Sequence, residues 1–132
     1  MRTNPLILMA DDDQNFREII TEKLSSLGFE VRTVATGADA VKAAAEIKPD
    51  LVLMDIRMPG EMNGIDAAFK IKENPETRDV KVVFLSDSEN PWPAVVGGKT
   101  EVSRAFGMED FIPKTEYLDV FVGKIKQFLA VA

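Results

Sequence analysis

Short apolar runs alternate with amphipathic stretches along the whole chain. Leu6 to Ala10 is apolar at every position, as a strand covered on both faces must be. From Asn15 to Leu27 the apolar residues Phe16, Ile19, Ile20, Leu24 and Leu27 recur at helical spacing. Gly28 follows, where a helix end favours a left-handed residue. Phe29 to Val34 predicts a second, weaker strand, and Ala38 to Ile47 an alanine-rich helix that Pro49 ends. Asp50 to Asp55 predicts a third strand, apolar from Leu51 to Met54.

Met58-Pro59-Gly60 marks a loop, and Ile65, Ala68, Phe69 and Ile71 predict a helix reaching about Asn74, before Pro75. Val80 to Leu85 predicts a fourth strand that ends at Ser86. Asp87 to Gly98, with two prolines, two glycines and Trp92, predicts a long loop. Thr100 to Phe106 predicts a short helix backed by Gly107, and Asp110 to Ile112 a short fifth strand. Tyr117 to Leu129 predicts a closing helix with Leu118, Phe121, Val122, Ile125, Phe128 and Leu129 on its apolar side. Five strands alternating with five helices call for a parallel sheet covered on both faces, a doubly wound α/β domain. The 132 residues suffice for one such core, so a single domain over 1–132 with no room for an output domain is expected.

Composition narrows the chemistry. The formal charge is -6 and no basic block occurs, which argues against nucleic-acid binding by this domain. The chain has no cysteine and no histidine, which removes Ser-His-Asp triads, Cys-His pairs and the usual zinc sites. No apolar run is long enough to span a membrane, and the start does not read as a signal peptide, so a cytoplasmic protein is expected.

What remains is carboxylate, hydroxyl, lysine and hard-cation chemistry. In an open parallel sheet, ligands bind outside the carboxyl ends of the strands. Asp11, Asp12 and Asp13 follow the first strand, Asp55 ends the third, Ser86 ends the fourth and Lys114 lies just past the fifth. Carboxylates gathered there repel one another, and a hard divalent cation such as Mg²⁺ offsets that repulsion. An aspartate beside a metal and a lysine is ready to receive a phosphoryl group. Asp11 to Asp13 also suit a helix N-cap.

In this order, Leu6 to Asp13 (LILMADDD), Leu51 to Gly60 (LVLMDIRMPG), Val82 to Ser86 (VVFLS) and Asp110 to Lys114 (DFIPK) resemble the signatures of a response-regulator receiver domain, over essentially the whole chain. The resemblance implies a flavodoxin-like five-stranded parallel sheet of order 2-1-3-4-5 with five helices. It implies that Asp55 is the phosphoacceptor, that Asp11 and Asp12 hold Mg²⁺ together with Asp55 and the backbone carbonyl of Arg57, and that Lys114 contacts a phosphoryl oxygen. Ser86 takes the place of the switch hydroxyl and Phe111 that of the switch aromatic, though Phe111 also reads as core. The implied donor is a histidine kinase or a histidine phosphotransfer protein, with an unknown downstream protein target. The output face is built by the fourth helix, fifth strand and fifth helix. Beyond phosphoryl transfer to Asp55 and slow self-dephosphorylation, no enzyme activity is implied.

The chain departs from the family pattern in three places. Asp87 puts a negative charge beside the switch hydroxyl, where a small residue is usual, and is expected to slow phosphorylation or alter metal binding. The segment between Ser86 and Phe111 is longer than usual, and its 87–98 loop reads as a lid, a partner surface or a tolerated insertion. Pro113 precedes Lys114, whereas the family commonly has proline after the lysine, a position held here by Thr115. A pseudo-receiver, the same fold acting as a phosphorylation-independent binding module, is the alternative. A phosphatase of the haloacid dehalogenase type wants a second Asp where Arg57 stands.

Overall fold

The computed structural model describes residues 4–86, 110–114 and 116–130, and the side chains of Ser86, Asp110 and Phe111 fall outside that description. Five strands, β1 (Leu6–Ala10), β2 (Glu30–Val34), β3 (Leu51–Asp55), β4 (Lys81–Ser86) and β5 (Asp110–Pro113), form one sheet in the order β2-β1-β3-β4-β5. Every neighbouring pair is parallel. This is the doubly wound order that the motifs implied. Four helices are described: α1 (Gln14–Ser26), α2 (Gly37–Ile47), α3 (Gly64–Glu73) and α4 (Leu118–Leu129). The helix expected at 100–106 and the 87–98 loop lie outside the described residues.

Strand side chains alternate between the two faces of the sheet, and both faces are buried here, so each strand feeds two cores. Leu8, Val52, Met54, Val82 and Phe84 pack with Ala40, Ala44, Ala67, Ala68 and Ile71 of α2 and α3. Their neighbours Ile7, Met9, Leu51, Leu53, Val83, Leu85 and Ile112 pack on the other side with Ile20 and Leu24 of α1 and Phe121, Val122 and Ile125 of α4. The unbroken apolar runs in β1 and β3 are thereby explained, since all ten of their positions are buried. Edge strand β2 has no fully buried residue.

Local chemistry ends the helices where the sequence predicts. Asp13 caps α1 by accepting from the Phe16 N–H, and Thr36 and Asn63 cap α2 and α3 in the same way. Gly28 takes a φ of +95° just past α1, where the Phe29 N–H reaches back to the Leu24 carbonyl. Some expected core positions are solvent-facing instead. Ile19 (56% exposed), Leu27 and Phe69 are exposed, and Leu118 is at the margin of exposure. The reason is geometric. A helix lying on a sheet buries one narrow stripe, Phe16-Ile20-Leu24 in α1, and a residue one place off that stripe, as Ile19 is, is rotated by about 100°, while Leu27 stands past the helix at its C-cap.

The segment between β3 and α3 is tightly held. Ile56 and Met58 are buried in the core under α2 and α3. The Ile56 N–H donates to the Leu85 carbonyl, and its carbonyl accepts from the Gly64 N–H at 2.8 Å. Helix α3 therefore starts in contact with the end of β3, and a Cβ at Gly64 would lie 1.9 Å from the Asp55 carbonyl oxygen. Only glycine fits there. At Gly123, on the exposed side of α4, an added Cβ meets nothing within 4 Å. We predict that Gly64→Ala lowers unfolding free energy by at least about 2 kcal/mol through overpacking. Gly123→Ala should instead raise it by about 0.5–1 kcal/mol through reduced unfolded-chain entropy. Urea titration of both variants checks the pair, and equal effects would contradict the close-packing account.

Candidate functional site

Strand parity delivers the site. Ile7 and Met9 face α1 and α4, and the chain continues in register to Asp11, whose N–H donates to the Val34 carbonyl at 3.1 Å. Leu51 and Leu53 face the same way, and Asp55 is the next such position in β3. Ile112 does so in β5, and Lys114 comes two residues later. Three separated segments thus aim a polar side chain at one side of the sheet, at the carboxyl ends of its strands.

The side chains meet. Carboxylate oxygens of Asp11, Asp12 and Asp55 all lie within 4.8 Å of one another. Lys114 Nζ is 2.7 Å from Asp11 Oδ2 and donates to Asp55 Oδ2 at 3.3 Å. Asp11 is fully buried and Asp55 is 4% exposed, whereas Asp12 is exposed. Asp11 Oδ1 accepts from the Asp13 N–H at 2.9 Å. Asp11 Oδ2 is buried and ion-paired with the Lys114 ammonium. Three carboxylates converging beside a single ammonium suit a hard metal ion with oxygen ligands.

The electrostatics follow from burial. The Asp55 carboxyl is pushed up from 3.8 to about 7 by desolvation first and the Asp11 charge second, with a smaller push from Asp12, and Lys114 offsets only part of this. Burial works to lower Lys114, but hydrogen bonding to Asp11 and the charges of Asp55 and Asp11 outweigh it, so its ammonium is held above 10.5. Lys114 is therefore charged, and Asp55 is balanced near neutrality between acid and carboxylate.

The other expected residues fall as follows. Arg57 stands in the loop after β3, with its side chain exposed between the buried Ile56 and Met58. Asp13 caps α1, so one of the three aspartates does the capping that the sequence also allowed. The side chains of Ser86 and Phe111, the whole of Asp87, and Thr115 lie outside the described residues. Two contacts had no sequence signal. Arg17 Nη1 donates to the Asp11 carbonyl at 2.7 Å, and Lys114 Nζ stands over the Phe16 ring. Both residues read as ordinary helix positions until the turn between β1 and α1 is formed.

A pH test follows. Between about pH 4 and 7 the folded chain keeps a proton on Asp55 that the unfolded chain has lost. The contribution of this group to stability is therefore present below that window and lost as pH rises through it. With chelator present, the urea midpoint of wild type minus that of Asp55→Asn should fall from pH 4 to 7 and level off above. A flat or rising difference would mean that the carboxyl is not desolvated.

The model of the family described as response regulator receiver domain matches residues 7–126. The DNA-binding response regulator MtrA of Mycobacterium tuberculosis is 33% identical over 108 residues, which are 82% of this chain and 43% of that protein. The sensory transduction protein BceR of Halalkalibacterium halodurans is 30% identical over 123 residues, 93% of this chain and 49% of that protein. The chain spans less than half the length of these relatives. Among solved structures, the receiver domain of a sensor histidine kinase from Pseudomonas aeruginosa, with a magnesium ion coordinated in its active-site cleft, superposes with a TM-score of 0.80 at 26% identity, covering 97% of this chain and 99% of that one. Chemotaxis protein CheY4 of Vibrio cholerae, at 19% identity and a TM-score of 0.81, shares the fold.

Proposed function

Because the chain belongs to the response regulator receiver domain family, we propose that it is a phospho-switch whose Asp55 takes a phosphoryl group from a phosphohistidine on a histidine kinase or histidine phosphotransfer protein. The observation that carries this reading is the convergence of Asp11, Asp12 and Asp55 with Lys114 at one pocket. These 132 residues contain no histidine, so the phosphohistidine comes from outside this domain.

The step is a displacement at phosphorus. A carboxylate oxygen of Asp55 forms the new P–O bond, the P–N bond to the donor imidazole breaks, and the imidazole picks up a proton. Asp55 must be ionised to attack, and its tendency to hold a proton near neutrality works against this. A bound Mg²⁺ would supply the positive charge that favours the ionised carboxylate and offsets charge on the phosphoryl oxygens. Asp11, Asp12, Asp55 and the Arg57 carbonyl are the groups that would hold it, and a chain similar at 26% identity coordinates magnesium in its cleft. Lys114, already charged and 3.3 Å from Asp55, would pair with a phosphoryl oxygen.

Phosphorylation, sensed by the Ser86 hydroxyl at the end of β4, then shifts the population toward a second conformation of the output face, to which Phe111 belongs, for a downstream protein to read. Self-dephosphorylation is the only catalysis we assign. A cytoplasmic setting fits a partner kinase, and no helix among the described residues is long and apolar enough to cross a membrane.

Incubation with acetyl phosphate and Mg²⁺, followed by intact mass, tests the reading. Wild type should gain one phosphoryl group. Asp55→Asn should gain none, and Lys114→Met should gain it at least about tenfold more slowly, the loss of one charge-assisted contact. Labelling of Asp55→Asn to the wild-type extent would remove Asp55 from its role. A wild type that stays unlabelled favours the binding-module alternative.

A further inference from the structure

Lys114 has a third neighbour besides the two carboxylates. Its Nζ lies 5.1 Å from the centroid of the Phe16 ring, over its face, within the range of a cation–π contact. Phe16 is half-buried, and its ring meets that of Phe121 in a T-shaped arrangement, centroids 6.2 Å apart and planes at 76°. Phe121 is 1% exposed in the core of α4. The backbone of Phe16 is fixed as well, since its N–H donates to the capping Asp13 side chain. The ring is thus held from behind and from its own helix turn, with its face toward the ammonium.

Lys114 is closer to Asp11 than to Asp55, at 2.7 Å against 3.3 Å. Any cation that engages Asp11 competes with the ammonium for the same carboxylate. A lysine side chain that loses its nearest partner has four rotatable bonds through which to swing away. Among the described residues, the Phe16 ring is the one partner of the ammonium that carries no charge and holds no ligand, so neither a metal nor a phosphoryl group displaces it. We infer that Phe16 is a positioning residue whose ring face keeps the Lys114 ammonium at the pocket, beside Asp55, while the Asp11 carboxylate is engaged elsewhere. The inference rests on the reading of Asp55 as acceptor.

The test separates the electrostatics of the ring from its shape. Phe16 is replaced with Leu, with Trp, and by site-specific incorporation with pentafluorophenylalanine, which keeps the ring and reverses its quadrupole. Labelling by acetyl phosphate is measured at saturating Mg²⁺, alongside the NMR shifts of the Lys114 ε-methylene protons. In wild type those protons should resonate upfield, shielded by the ring, and Phe16→Leu should abolish the effect. The labelling rate should fall roughly threefold to tenfold in Phe16→Leu, the size a partly desolvated cation–π contact allows. It should fall comparably with the fluorinated ring, and Trp should retain it. A fluorinated variant as fast as wild type, with Leu slow, would reduce Phe16 to packing and overturn the inference, as would an unshielded lysine in wild type. If wild type is labelled and all the variants match it, the inference alone fails. If wild type takes no phosphoryl group, the acceptor reading fails and takes the inference with it.

Discussion

Asp11 and Asp55 are withdrawn from water, 0% and 4% exposed, within reach of one ammonium. Like charges placed so close in a poorly solvated pocket repel strongly, and one lysine cannot balance three acids. Fully ionised, Asp11, Asp12, Asp55 and Lys114 would sum to three negative charges and one positive. The metal-free fold relieves the strain by keeping a proton on Asp55 up to about pH 7. On the proposed function, a divalent cation would relieve it without that proton and leave the carboxylate free to react. The electrostatic cost that this pocket imposes on folding would then be the same property that makes it receptive to a cation and a phosphoryl group.

The scaffold holds these charges in place with ordinary means. The parallel order brings the ends of β1, β3 and β5 to one edge, and strand parity turns Asp11, Asp55 and Lys114 to the face covered by α1 and α4. The opposite core clamps the loop after Asp55 through Ile56 and Met58. At Gly64 the first turn of α3 presses against the Asp55 carbonyl, leaving no room there for a side chain. Around the lysine, Phe16 and Phe121 add an aromatic support running from the pocket into α4. The functional face of the sheet and its α1/α4 core are in this sense one packed unit.

Much of this was legible before any coordinates. Uninterrupted apolar runs at Leu6–Ala10 and Leu51–Met54 required strands buried on both faces, and a sheet with that property is parallel with helices on both sides. Gly28, Pro49 and an N-capping aspartate among Asp11 to Asp13 marked element ends because their backbone preferences act locally. Ile19, Leu27 and Phe69 misled, since helical spacing identifies an apolar face but not how narrow a stripe a sheet will cover. The chemistry was legible as a set of residue types at strand ends, with the individual roles supplied by likeness to a family.

What the sequence by itself determined is what depends on neighbours along the chain: strand and helix type, caps and turns, the alternation of faces, and the absence of histidine and cysteine that confines the chemistry to carboxylates and lysine. The division of labour within Asp11-Asp12-Asp13, one buried, one exposed at the pocket and one capping α1, came only with the tertiary structure. So did the suppressed ionisation of Asp55, the ion pair of Asp11 with Lys114 and the ring beneath Lys114. Each of these depends on burial and on distances between groups far apart in sequence, Lys114 and Asp55 by 59 residues and Lys114 and Asp11 by more. Desolvation and Coulomb energy act through space, and a linear pattern contains no distances.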